Sequence, residues 1–123
     1  MERSEFERIA QEAFDGLPER FRAAVENVRI VVVEGDPADD RFPRGYRPGG
    51  ILLGLYEGIS LPRRGAGYGM YPVVPDTITL FKTGIESVGR TEGDIRRIIR
   101  DTLIHEIGHY FGLSEKEIRS AGY

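Results

Sequence analysis

The feature that most restricts how this chain can fold is a long helical pattern near its C-terminal end, which carries both of its histidines. Apolar residues recur at helical spacing from Ile95 to Phe111, which predicts an amphipathic helix. Thr91, with Asp94 three residues later, is typical of a helix start, so we expect the helix to begin there and to run to Phe111. A stable fold must bury one face of this helix against other elements.

The two histidines are four residues apart, and a glutamate follows the first, in the run His105-Glu106-Ile107-Gly108-His109. On a helix, positions i and i+4 lie on the same face, so both imidazoles can bind one ion. Glu106 is displaced by about 100° around the helix from His105 and can reach a metal-activated water without binding the metal. This pattern predicts a zinc site in which Glu106 is the general base of a hydrolytic reaction.

A catalytic zinc site needs a third protein ligand and an open fourth position. The chain has no cysteine and no further histidine, so this ligand must be an aspartate or a glutamate. Glu115 is the best candidate, because Gly112 allows the chain to turn sharply after the helix. Glu117 and Asp101 are weaker candidates. Since Asp101 precedes His105 by one helical turn, it is better suited to orient an imidazole.

Each of these assignments has a simpler alternative. Two histidines on an amphipathic helix can be surface or core residues, and Glu106 can be a helix-forming residue. Ser114 and Glu117 predict a capping box for a short terminal helix. Glu115 would then be an acid that the helix dipole favours in the first turn. A tyrosine hydroxyl could stabilise the oxyanion, but the sequence does not choose among the six tyrosines.

Two shorter helical segments are expected near the N-terminus. Ser4, with Glu7 three residues later, is typical of a capping box and predicts a helix at 4–15 that ends at Gly16. Pro18 is well placed to open a second, shorter helix. These segments should pack near the long helix.

Short apolar runs rich in β-branched residues predict the strands, which are expected at 28–33, 51–56 and 77–81. Gly54, inside the second run, indicates a bulge or a place where another backbone comes close. The stretches 35–50 and 58–75 are rich in Gly and Pro and are expected to be loops. Together these patterns predict an α+β fold in one domain, 1–123.

Composition excludes several classes of function. The charge is mixed, with 17 basic and 20 acidic residues, so nucleic-acid binding is not expected. The N-terminal residues are charged, and no apolar run approaches the ~20 residues of a membrane helix, so we expect neither a signal peptide nor a membrane anchor. A cytoplasmic location is therefore expected. The sequence does not indicate an oligomeric state.

The run from His105 to Glu115 resembles the extended zincin motif H-E-x-x-H-x-x-G-x-x-[H/D/E]. In metzincins the last position is a histidine and a methionine turn follows, whereas both methionines here, Met1 and Met70, lie upstream. In gluzincins the third ligand lies well downstream, but only eight residues follow Glu115. The chain is more similar to the small bacterial zincin-like metallopeptidases, which have a minimal zincin fold. This similarity extends to the runs ENVRIVVVE, LLGLYEG and PDTITLF.

The resemblance implies a small twisted mixed sheet of three to four strands, packed against the active-site helix. It also implies His105, His109 and Glu115 as ligands of one zinc ion, with Glu106 as the catalytic base. In zincins an edge strand above the metal helix pairs with an extended peptide. The candidate for this strand comprises Leu53, Gly54, Leu55 and Tyr56, with the two loops beside the cleft.

Three functions are compatible with these residues. The first is a zinc-dependent peptidase that acts on peptides or unstructured protein segments. The second is an inactive zincin-like domain that binds a metal or a peptide without turnover, because so small a domain has few substrate pockets. The third is a structural or regulatory domain without a metal. Another divalent ion can replace zinc, since a site with two nitrogen ligands and one oxygen ligand accepts several metals.

Overall fold

The computed structural model describes residues 1–24, 28–35, 48–58, 76–110 and 112–122, without the side chains of Arg20, Ala23, Ala24 and Glu115. Two helices precede the strands along these ranges, and three helices follow them. In chain order they are α1 (Arg3–Asp15), α2 (Glu19–Ala24), β1 (Val28–Val33), a 3₁₀ turn (Pro48–Gly50), β2 (Gly54–Glu57), β3 (Asp76–Phe81), α3 (Lys82–Val88), α4 (Glu92–Tyr110) and α5 (Glu115–Ser120).

The described strands form one mixed three-stranded sheet in the order β1-β3-β2. β1 runs parallel to β3, with Val28 opposite Asp76. β2 runs antiparallel to β3, with Gly54 opposite Leu80, and is an edge strand of the described sheet. The α+β class and the mixed sheet are therefore confirmed.

The core lies between the sheet, α1 and the long helix α4, as the apolar pattern of that helix requires. Five side chains of α4 enter it from one face: Ile95, which is 6% exposed, and Ile99, Leu103, Ile104 and Ile107, which are less than 2% exposed. Ile78 and Leu80 of β3 and Phe6 of α1 meet this face and are fully buried. Burying side chains of this size stabilises the fold by about 1.5–3 kcal/mol each. The helix that carries the histidines is thus fixed against the sheet.

The beginning of α1 differs from the prediction. The helix starts at Arg3, its N-cap is Glu2, and the Glu2 side chain makes no capping hydrogen bond. The capping box expected from Ser4 and Glu7 is therefore wrong. Nε of Arg3 donates a hydrogen bond to the Glu7 carboxylate at 2.9 Å, so that acid pairs with a cation one turn earlier. The predicted end at Gly16 is confirmed, and α2 follows Pro18 as expected.

The second strand is shorter than its apolar run. β2 begins at Gly54, although Leu52 and Leu53 before it are also buried. Leu53 belongs to the main core. Leu52 lies beside α3, since a Cβ at Gly84 would lie 2.3 Å from its carbonyl oxygen. The sequence did not predict α3, since a glycine in its first turn weakens the helical signal. The other two strands lie where they were expected.

The two stretches expected to be loops fall mostly outside the described residues. Of 35–50 and 58–75, the structure describes 35, 48–50 and 58. In the parts of the chain that are described, no helix is both long enough and apolar enough to cross a membrane.

Candidate metal centre

The helix that carries the histidines begins at a well-formed cap. The backbone N–H of Asp94 donates to Oγ1 of Thr91 at 3.0 Å, and the N–H of Thr91 donates to Oδ2 of Asp94 at 3.2 Å. Hydrogen bonds from the backbone N–H groups of Arg90 and Thr91 hold the pKa of Asp94 below its ordinary value. The predicted helix start is therefore confirmed, and its reciprocal bonds satisfy N–H groups that a helix leaves without partners.

His105, Glu106 and His109 lie in the last two turns of α4. The exposed fraction is 4% for His105 and 1% for Glu106, whereas His109 is half-buried. Among the described residues, Nδ1 of His105 and Oε1 of Glu106 are the buried side-chain atoms without a hydrogen bond, although both residues have other interactions. Two imidazoles one turn apart supply nitrogen ligands of the kind that zinc binds.

The glutamate lies on the face of α4 that packs against β2. A Cβ at Gly54 would be 3.6 Å from Cγ of Glu106 and 2.5 Å from Cγ2 of Thr102, which precedes Glu106 by one turn. One turn after Glu106, the ring of Tyr110 meets the ring of Tyr56 edge-on, with centroids 5.7 Å apart. A close approach at Gly54 is present as predicted, but the nearest atom belongs to the Thr102 side chain of α4 and not to another backbone.

Thr102 and Tyr110 are neighbours of Glu106 that the sequence interpretation did not associate with it. Both are fully buried, and they flank the glutamate at i−4 and i+4. That spacing was the available signal, because residues four apart on a helix share a face. The hydroxyl of Tyr56 donates a short hydrogen bond to Oδ2 of Asp76, so this tyrosine already has a partner in the sheet.

The chain reverses direction directly after the histidines. Gly112 has a φ of 78°, its N–H donates to the carbonyl of His109 at 2.8 Å, and the N–H of Leu113 donates to the carbonyl of Gly108 at 2.9 Å. These two bonds are those of a Schellman motif, in which a left-handed glycine closes the helix. The predicted turn at Gly112 is confirmed, and α5 begins three residues later.

The terminal helix packs against α4 at Gly108, the residue before His109. A Cβ at Gly108 would lie 2.5 Å from Cδ1 of Ile118, a side chain that is 2% exposed. The cap of α5 is the predicted capping box: the N–H of Glu117 donates to Oγ of Ser114 at 3.2 Å, and Oε1 of Glu117 accepts from the N–H of Ser114 at 3.3 Å. The carboxylate of Glu117 is therefore used in the cap.

The position of the third ligand remains a prediction. Glu115 is the first residue of α5, and its side chain is outside the described part of the structure. Among the side chains that are described, no three from His, Asp or Glu are placed to hold a metal ion together. Asp101 is half-buried one turn before His105, and its expected role in orienting an imidazole also remains a prediction.

Comparison with known proteins identifies the family. A family model described as zincin-like metallopeptidase matches residues 25–123, which include all three strands and helices α3 to α5. No curated protein is similar enough to the chain to count as a match. The match extends well beyond the histidine motif.

Proposed function

Because the chain belongs to the zincin-like metallopeptidase family, we propose that it is a zinc-dependent peptidase in which Glu106 is the general base. The observation that carries this proposal is the burial of Glu106, which is 1% exposed and lies beside both histidines on α4. Taking a carboxylate out of water costs free energy unless it is compensated, so a purely helix-forming glutamate would be expected on the surface. A desolvated base beside a metal is what this hydrolysis requires.

His105 and His109 would hold the metal, and Glu115 would complete the site. Support for Glu115 comes from the backbone, because the Schellman turn at Gly112 and the contact of Ile118 with Gly108 bring α5 back to the helix segment that carries the histidines. A bound zinc ion would polarise the scissile carbonyl and lower the pKa of the attacking water. Another divalent ion remains an alternative.

The proton transfers are assigned to the protein. Glu106 accepts the proton of the attacking water and delivers it to the leaving amine, so that one carboxylate acts first as base and then as acid. Its place against β2 suits this role, since Thr102 and Tyr110 pack the turns before and after it. The carboxylate is thereby kept near the strand that we propose to hold the substrate.

We propose that the substrate is an extended peptide that adds to the edge of β2, along the residues Leu53, Gly54, Leu55 and Tyr56. The carbonyl of Leu53 accepts a hydrogen bond from the N–H of Phe81 at 3.0 Å and is thus directed towards β3. In an antiparallel pair these directions alternate, so the main-chain groups of Gly54 and Tyr56 are directed to the outer edge. A peptide would pair with those two residues.

The test compares Glu106→Gln with Glu92→Gln, which makes the same substitution at an exposed position in the first turn of α4. Zinc content and the cleavage of an unstructured peptide library are measured for both variants and for the unmodified protein. We expect Glu106→Gln to keep its zinc and to lose turnover by roughly 10²–10⁴-fold, the contribution of a general base. The exposed variant should match the unmodified protein.

Three results would change the proposal. Equal cleavage by the Glu106→Gln variant would show that this glutamate is not the base. Zinc binding without cleavage by the unmodified protein would indicate an inactive zincin-like domain that binds a metal or a peptide. Failure to bind zinc even after its addition would remove the metal site.

A further inference from the structure

β2 and α4 approach each other closely at Gly54. A Cβ at this position would lie 2.5 Å from Cγ2 of Thr102, whereas packed carbon atoms are normally about 3.5–4.0 Å apart. Gly54 does not have a positive φ, so its backbone conformation is open to other residues. It is the space between strand and helix, therefore, that requires a glycine here.

Thr102, the residue of α4 nearest to Gly54, is held in place by a hydrogen bond within the helix. Oγ1 of Thr102 donates to the carbonyl of Ile98 at 2.7 Å, and the Thr102 side chain is fully buried. A threonine that bonds back in this way has a fixed χ1 angle, so its methyl group cannot easily turn away from the strand. An added side chain at Gly54 would force the strand away or break this hydrogen bond.

The packing of β2 on α4 also includes Glu106. Thr102 and Tyr110 stand one turn before and one turn after the glutamate, and both meet β2, at Gly54 and Tyr56 respectively. These two contacts are about 12 Å apart along the helix and about 7 Å apart along the strand, and Glu106 lies midway between them on the helix. Glu106 is therefore enclosed between two contacts with β2, and its Cγ would be 3.6 Å from a Cβ at Gly54.

We propose that Gly54 is a positioning residue for Glu106. By lacking a side chain, it allows β2 to close onto α4 and sets the distance between the general base and the strand edge that would hold the peptide. The catalytic consequence of this inference rests on the proposed function. The distance between β2 and Glu106 does not, because it can be measured in the metal-free protein as well. A glycine that served packing alone would affect stability without affecting the rate of the chemical step.

The test uses four variants. Gly54→Ala introduces the Cβ, Thr102→Ser removes the Cγ2 that it would meet and keeps the hydroxyl, and the double variant combines them. The control is Gly89→Ala, whose Cβ would also meet α4, at 2.9 Å from Cδ1 of Ile98 and two turns before Glu106. Each variant is crystallised without metal, and its zinc content and peptide turnover are measured.

We expect Gly54→Ala to widen the gap between β2 and α4 and to lower kcat by about a hundredfold, the loss that a misplacement of about 1 Å can cause. Zinc content should be unchanged, because the atoms nearest to a Cβ at Gly54 belong to Thr102, Thr79 and Glu106 and not to a histidine. The double variant should restore both the gap and kcat. Thr102→Ser and Gly89→Ala should stay within a few-fold of the unmodified protein.

Unchanged spacing at Glu106 in the metal-free Gly54→Ala crystal would overturn the inference, as would a kcat that the double variant does not restore. The two proposals fail separately. If the unmodified protein cleaves no peptide, the proposed function falls, and the crystal structures alone decide whether Gly54 sets the position of Glu106.

Discussion

Gly108 of α4 and Ile118 of α5 lie so close together that a Cβ on the glycine would be 2.5 Å from Cδ1 of the isoleucine. Gly108 directly precedes His109, and Ile118 is 2% exposed. The terminal helix is thus packed on the turn of α4 that carries the proposed ligands. This packing needs a residue without a side chain, which explains in physical terms why a glycine stands inside a helix.

Gly108→Ala is therefore expected to displace α5. Overpacking typically costs about 1–3 kcal/mol, and the better helix propensity of alanine offsets about 1 kcal/mol of that. If α5 carries the third ligand, zinc affinity should fall more clearly than stability. Calorimetric titration with zinc and chemical unfolding measure the two effects. The double variant Gly108→Ala/Ile118→Ala, with Ile118→Ala as its control, should recover affinity, and wild-type affinity in Gly108→Ala would contradict this role of α5.

Glu115→Gln is expected to weaken zinc binding by more than the roughly 10–100-fold that outer-shell changes cause, because it would remove a charged ligand. The matched control is Glu117→Gln, which should bind zinc normally since glutamine also suits the capping box with Ser114. An alanine at 117 would be a poorer control, because it would remove the cap. Equal affinities in the two glutamine variants would exclude Glu115 as a ligand.

Asp94→Asn should make stability depend less on pH. The folded state holds the pKa of Asp94 below its ordinary value through the backbone N–H groups of Arg90 and Thr91. A lowered pKa contributes stability above the unfolded value of about 3.9, and this contribution is lost as the pH falls through the folded value. The unmodified protein should thus be more stable than the variant at pH 7 and approach it in strong acid. Urea unfolding at several pH values measures the difference, and a gap independent of pH would contradict the prediction.

Tyr56→Phe should lower the free energy of unfolding by about 1–3 kcal/mol, the cost of removing one partner from a buried acceptor. The hydroxyl donates to Asp76, which is 5% exposed, whereas the ring contact with Tyr110 would be retained. If the hydroxyl serves only this hydrogen bond, kcat should change by no more than a few-fold. A large loss of kcat at unchanged stability would instead indicate that the hydroxyl stabilises the oxyanion.

Much of the local structure could be predicted because it depends on neighbouring residues. Three local features are confirmed: the caps at Thr91 and Ser114 and the left-handed turn at Gly112. Each is formed by residues only a few positions apart in the chain. The strands Val28–Val33 and Asp76–Phe81 were also predicted, the first from a continuous apolar run and the second from alternating β-branched residues.

The structure differs from the sequence predictions where one sequence pattern can have two physical causes. The apolar run before Gly54 reflects burial beside α3 as well as strand pairing, and apolarity alone does not separate them. Ser4 and Glu7 have the spacing of a capping box, but a cation at Arg3 is the stronger partner for the carboxylate. Gly84, which weakens the helical signal of α3 in the sequence, is also the residue at which α3 contacts Leu52.

By itself the sequence determined that His105, Glu106 and His109 share one helix and that the helix ends in a turn at Gly112, since helical period and capping are local properties. Only the tertiary structure decided that Glu106 faces β2 and is almost completely buried, and that α5 returns to Gly108. Both contacts join residues of different secondary-structure elements, and each depends on the space left by a glycine. Such space is created when the elements pack, so no local pattern encodes it.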